Sequence, residues 1–145
     1  MPRSLTHLRR QQCAALPLRH QGDSVEVLLV TSRETRRWVL PKGWVEARRS
    51  AAEQAAREAF EEAGVRGQVA ATPIGHYSYR KRMPDGGDLP CEVTVYPLEV
   101  EVLLDRWPEQ AERERRWFTL EEAARLVHEG DLGALMLRLA APSAA

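Results

Sequence analysis

Residues 43–65 read GWVEARRSAAEQAAREAFEEAGV, from Gly43 to Val65, and the fold turns on this stretch. Its second half is helical by every local signal. Ser50, with Glu53 three residues on, forms a capping box in which each side chain satisfies the other residue's free backbone N–H. Gly64 suits the position just past a helix, where a left-handed conformation ends the chain's spiral. Between them Ala52, Ala55, Ala56, Ala59, Phe60 and Ala63 give a small-residue side for close packing on a sheet. Lys42 to Arg49 lacks periodicity and reads as a loop.

On such a helix Glu58, Glu61 and Glu62 stand three and four residues apart and share one face. Like charges at that spacing repel and cost helix stability. Arg57 relieves part of this by pairing with Glu53 or Glu61 at i±4, and a divalent ion relieves more. Hard oxygen ligands that leave room for water and phosphates suit Mg²⁺ or Mn²⁺. A solvated acidic face is the ordinary meaning of such a cluster, so the wider spacing has to decide.

That spacing resembles the Nudix box, G-x5-E-x7-R-E-U-x-E-E-x-G-U with U apolar, at Gly43, Arg57, Glu58, Ala59, Glu61, Glu62, Gly64 and Val65. One defined position departs: Arg49 stands where the box has its first glutamate. The resemblance implies an α/β fold, an α/β/α sandwich with a mixed β-sheet and the box loop and helix packed on it. It implies that Glu58, Glu61 and Glu62 are catalytic and hold metal, that the Gly43 carbonyl is a further metal ligand, and that Arg57 orients the glutamates. The family's first glutamate is mainly a loop brace, so Arg49 implies altered loop geometry, a phosphate contact, or weakened activity.

Working outward, Ser32-Arg33 and Arg37 to Trp44 (RWVLPKGW), with Tyr79-Arg80-Lys81-Arg82 and Trp117-Phe118, are similar to the branch that includes diphosphoinositol polyphosphate phosphohydrolases, which also cleave dinucleoside polyphosphates. Arginine offers bidentate geometry to phosphate. Arg33, Lys42, Arg49, Arg80 and Lys81 are the substrate-binding candidates, while Arg36 and Arg82 read as solubilising side chains. Trp38 reads as packing; Trp44 is a candidate wall for a base or ring. Glu112 and Glu114 are candidates for a general base, and Arg113-Glu114-Arg115-Arg116 reads as a solvated charge run. His7, His20, His76 and His128 have no metal spacing.

Elsewhere the pattern predicts strands at Gln12–Leu18, Val25–Thr31, Trp38–Leu40, Gln68–Arg80 and Glu92–Leu103, and turns at Gln21-Gly22-Asp23 and Pro84 to Gly87. A second capping box, Thr119 with Glu122, opens a helix to about His128, and Leu132–Leu139 is a last amphipathic stretch. The 145 residues suit one domain with a core over about 10–140 and flexible termini. Twenty-one basic and 21 acidic residues give a net charge of zero, so no global field favours nucleic acid or an anionic membrane. Cys13 and Cys91 read as reduced, buried thiols, and cytoplasm is the default compartment.

The expected function is metal-dependent hydrolysis of a diphosphate linkage in a small polyphosphate, either a diphosphoinositol polyphosphate or a dinucleoside polyphosphate, with a homodimer left open. Two alternatives stand beside it: an RNA 5′-end or nucleotide-sugar pyrophosphohydrolase, and a catalytically weak module that binds nucleotides or regulates a partner. The neutral charge and the lack of a long basic stripe weigh against RNA.

Overall fold

The computed structural model describes residues 10–141; the expectations for flexible termini lie largely outside the described residues. The strands are β1 (Arg10–Gln21), β2 (Ser24–Thr31), β3 (Trp38–Val39), β4 (Lys42–Trp44), β5 (Val65–Val69), β6 (Gly75–Arg82), β7 (Asp88–Leu103) and β8 (Arg115–Thr119). The helices are α1 (Ala51–Ala63), α2 (Leu120–Leu126) and α3 (Gly130–Ala140). The sheet runs β3-β2-β1-β7-β5, with β4 paired to β1, β6 to β7 and β8 to β2. β1 and β7 run parallel and the other pairs antiparallel, which makes the sheet mixed.

Alternation along the strands gives each face of the sheet its own core. Cys13 and Ala15 of β1, Leu28 and Val30 of β2, and Leu98 of β7 pack under the alanines of α1. Ala14 and Leu16, Val27 and Leu29, and Val93 and Val95 point the other way, onto Leu120, Leu132, Leu135 and Met136 of α2 and α3. Helices on both faces make the expected α/β/α sandwich.

The box helix ends where its side chains say. Ser50 accepts from the Glu53 N–H at 3.1 Å, and the Ser50 N–H donates to Glu53 Oε1 at 3.0 Å, an arrangement that stabilises a helix by about 1 kcal/mol. Gly64 takes φ 67°, ψ 34° and its N–H donates to the Phe60 carbonyl at 3.0 Å. The other three carbonyls of the last turn are met by distant residues, as a buried helix end requires. The Glu109 N–H donates to Glu61 O at 3.0 Å, Trp107 Nε1 to Glu62 O at 3.0 Å, and Arg115 Nη1 to Ala63 O at 2.8 Å.

Three expectations need correction. Lys42–Trp44 is not loop but strand, because Ala14, Cys13 and Gln12 of β1 pair with it. Gln68–Arg80 is not one strand: β5 and β6 both lie on β7, and residues 70–74 turn the chain back between them. Arg113–Arg116 is a solvated run only at Glu114 and Arg116, which are exposed. Arg115 opens β8, Arg113 is buried, and Arg116 stacks over Trp38 at 5.3 Å.

Candidate active site

The site starts from a close approach. β4 lies beside β1 with Gly43 opposite Cys13, and α1 crosses over it on alanines. Glu58 projects from mid-helix onto the β4 backbone, so that a Cβ at residue 43 would overlap the Glu58 carboxyl. Glycine is required there by contact, not by dihedral angle. Gly43→Ala is expected to push the Glu58 carboxyl aside and lower turnover roughly 10–100-fold, with the melting temperature little changed. Steady-state kinetics beside a melting curve checks this, and an unchanged rate would discount the contact.

Glu58 and Glu62 stand one helical turn apart on α1, and their carboxyls interact. Burial raises the Glu58 pKa, while hydrogen bonds from Gln54 and Glu62 oppose the rise. Glu62 is 6% exposed, and burial pushes it up to about 8 against the pull of Arg113 and Lys42. Two neighbouring carboxyls that burial raises together mark a place short of positive charge.

The segment between β7 and β8 supplies part of that charge. Arg113 reaches Glu62 at 3.7 Å and Glu109 at 2.8 Å, and donates to the Thr31 carbonyl at 3.0 Å. Its side chain is 8% exposed. Arg113 and Glu109 went unrecognised in the sequence as site residues. Of the proposed bases, Glu112 is engaged by Arg33 at 3.1 Å and Glu114 by Arg36 at 3.3 Å, and both are exposed. Glu109, tied to Glu62 through Arg113, stands closer to the box.

The remaining candidates divide. Arg57 pairs with Glu61 at 3.0 Å rather than with Glu53. Arg49 bonds Gln54 at 2.9 Å and Glu46 at 3.6 Å. Lys42 is half-buried, with Nζ 5.0 Å over the Tyr79 ring. Burial lowers its pKa, against the opposing charges of Glu62 and Glu129. Tyr79 donates to Gln12 at 2.6 Å. Alternation along β6 puts Lys81 on the face of Tyr77 and Tyr79, and Arg80 on the opposite face. The structure therefore separates Arg80 from Lys42 and Lys81. Trp38 packs edge-on against Phe118 at 5.1 Å, as expected, and Trp44 is exposed beneath Arg10. His76 is exposed on β6, with Nδ1 3.5 Å from Thr94. Both cysteines are free and buried; burial pushes the Cys13 thiol up to about 12, which makes it inert.

Among the described residues no three His, Cys, Asp or Glu side chains converge as a ready cage. The donors nevertheless fit a hard divalent ion. The Glu58 carboxyl lies against Gly43, and Glu62 stands one helical turn on beside Arg113, so the donors are all oxygen and only partly matched by positive charge. Among the described residues no helix is long and apolar enough to cross a membrane.

Residues 8–138 match the family described as the NUDIX domain. The chain is 38% identical over 110 residues to "Nudix hydrolase 12, mitochondrial" of Arabidopsis thaliana, covering 72% of this chain and 53% of that protein. It is 29% identical over 120 residues to "Diphosphoinositol polyphosphate phosphohydrolase 3-beta" of Bos taurus, covering 81% and 69%. The chain thus spans about half the length of the first of these relatives. Among solved structures, the C. elegans Ap4A hydrolase superposes with a TM-score of 0.65 at 20% identity over 91% of this chain and 96% of that one. The NUDIX domain of Shewanella oneidensis NrtR, complexed with ADP ribose, does so with a TM-score of 0.62 at 15% identity over 90% and 86%. At these identities the likeness is one of fold.

Proposed function

Since this chain belongs to the Nudix family, we propose that it hydrolyses a diphosphate linkage in a small polyphosphorylated substrate with the help of Mg²⁺ or Mn²⁺. The observation that carries the reading is the Glu58 carboxyl pressed against Gly43, with buried Glu62 one helical turn on. Glu58 and Glu62 would hold the ion, with the Gly43 carbonyl beside them, and Arg57 keeps Glu61 in reserve at the helix edge. A bound divalent ion supplies charge neutralisation for the phosphates and a water of lowered pKa.

The bond changes are those of substitution at phosphorus. Water oxygen bonds to one phosphorus, the bridging P–O bond breaks, and the proton released passes to a carboxylate of the box or to Glu109. Arg33, at the end of β2, and Lys42 and Lys81, on the Tyr79 face, bring positive charge to the anionic substrate. A diphosphoinositol polyphosphate or a dinucleoside polyphosphate suits this, in line with the name of the Bos taurus relative. A net charge of zero supports a small substrate over RNA. The free buried thiols suit a reducing compartment such as the cytoplasm.

Phosphate release from diphosphoinositol polyphosphates, dinucleoside polyphosphates, nucleotide sugars and 5′-triphosphorylated RNA tests the reading. Turnover is expected on one or both of the first two, only with Mg²⁺ or Mn²⁺. Turnover of RNA alone would overturn the substrate class. No turnover with either metal on any member of the panel would favour a binding module.

A further inference from the structure

We propose that Arg49 and Gln54 are positioning residues for Glu58, linked in a donor-to-acceptor relay that takes over the bracing task of the missing box glutamate. The relay rests on the reading of Glu58 as a metal ligand.

Three contacts carry it. Arg49 Nη1 donates to Gln54 Oε1 at 2.9 Å. Gln54 Nε2 donates to Glu58 Oε2 at 2.6 Å. Arg49 is itself steadied by Glu46 at 3.6 Å. Gln54 is 2% exposed, so both ends of its amide need partners from the protein. A guanidinium only donates and a carboxylate only accepts. The amide therefore has one satisfactory orientation: oxygen to Arg49, nitrogen to Glu58. The pinned oxygen, Oε2 of Glu58, is the one that lies nearer Gly43, so the relay fixes the carboxyl where it meets the β4 backbone.

The identities at 49 and 54 are chemically linked. A glutamate at position 49 would present an acceptor to the Gln54 oxygen. Turning the amide to suit that new carboxylate would set the amide oxygen against Glu58, acceptor against acceptor. The substitution that restores the box pattern thus breaks the relay, so Arg49→Glu is expected to weaken the site rather than repair it.

The test is direct titration with Mn²⁺, read by the loss of free-ion electron paramagnetic resonance, together with turnover of the best substrate. It uses wild type, Arg49→Glu, Arg49→Lys, Gln54→Leu and the double variant Arg49→Glu/Gln54→Lys. Arg49→Glu and Gln54→Leu are each expected to weaken Mn²⁺ binding roughly 10–100-fold. Arg49→Lys keeps a donor and should stay within about threefold of wild type. In the double variant the ammonium introduced at position 54 donates to both carboxylates, and most of the loss should return, a rescue that general loosening of the helix would not give. Arg49→Glu protein that binds Mn²⁺ as tightly as wild type, or turns over faster, overturns the relay. Wild-type protein that binds no Mn²⁺ removes Glu58 as a ligand, and the relay falls with it. If Gln54→Leu does not fold, the Arg49 variants carry the test, since that side chain is 34% exposed.

Discussion

Glu62→Gln is expected to cut turnover roughly 10³-fold, about 4 kcal/mol of transition-state stabilisation, and yet to make the metal-free protein more stable. The two effects share one cause. Glu62 is buried beside Glu58, and its carboxyl is raised from the ordinary 4.5 to about 8. A divalent ion would offset the gathering of these charges; without one the protein bears the strain. A carboxyl whose folded pKa lies above its unfolded value favours folding in its protonated form. Its contribution is fully present below pH 4.5 and is lost as the pH rises towards 8. Glutamine imitates the protonated acid at every pH. Melting curves in a chelator should therefore show Glu62→Gln and wild type alike near pH 4, a gap in favour of the variant that opens between pH 4.5 and 8, and no further widening above. Kinetics with metal should show the variant nearly inactive throughout. A variant that is destabilised at pH 8, or one that keeps wild-type turnover, would remove Glu62 from the proposed centre.

Sequence and structure meet most closely where the signals are local. The box helix starts at Ser50 and stops at Gly64 because both caps are written within a few residues of the helix they bound. Gly43 and Glu58 were both recognisable from spacing, although the contact that demands the glycine appears only when α1 is laid on β4. Other features depend on partners that sequence distance hides. β4 is too short to show alternation, and β1 makes it a strand. The return at residues 70–74 is dictated by β7, which accepts β5 and β6 along one length. Arg80 and Lys81 look equivalent in a basic run, but the pleat sends them to opposite faces. Arg113 is the sharpest case. An Arg-Glu-Arg-Arg segment has the composition of a solvated surface. Its role is set by a carbonyl 82 residues away and by two carboxylates.

Arg113→Met carries the largest expected loss of stability. Methionine matches the arginine stem in bulk but brings no charge and no donor. It would leave Glu62 and Glu109 without their common cation and the Thr31 carbonyl without its donor. Breaking a buried ion pair from one side costs about 3–5 kcal/mol, chiefly because the stranded charge stays buried. Here the cost depends on pH, because Glu62 can take up a proton in place of the arginine. Burial already holds Glu62 at about 8 with the arginine present, and its loss raises that further, so chemical denaturation in a chelator should give a deficit that is constant below pH 8 and grows towards about 3 kcal/mol as the pH rises past 8. The double variant Arg113→Met/Glu62→Gln should recover part of the loss above pH 8, the arithmetic of a double-mutant cycle in which one change removes the other's stranded charge. A loss of the same size on both sides of pH 8, or no recovery in the double variant, would mean that Arg113 serves only the loop backbone and Glu109. The pH-dependent pattern would place it in the centre itself, as the protein's own counter-charge to the carboxyl pair of α1.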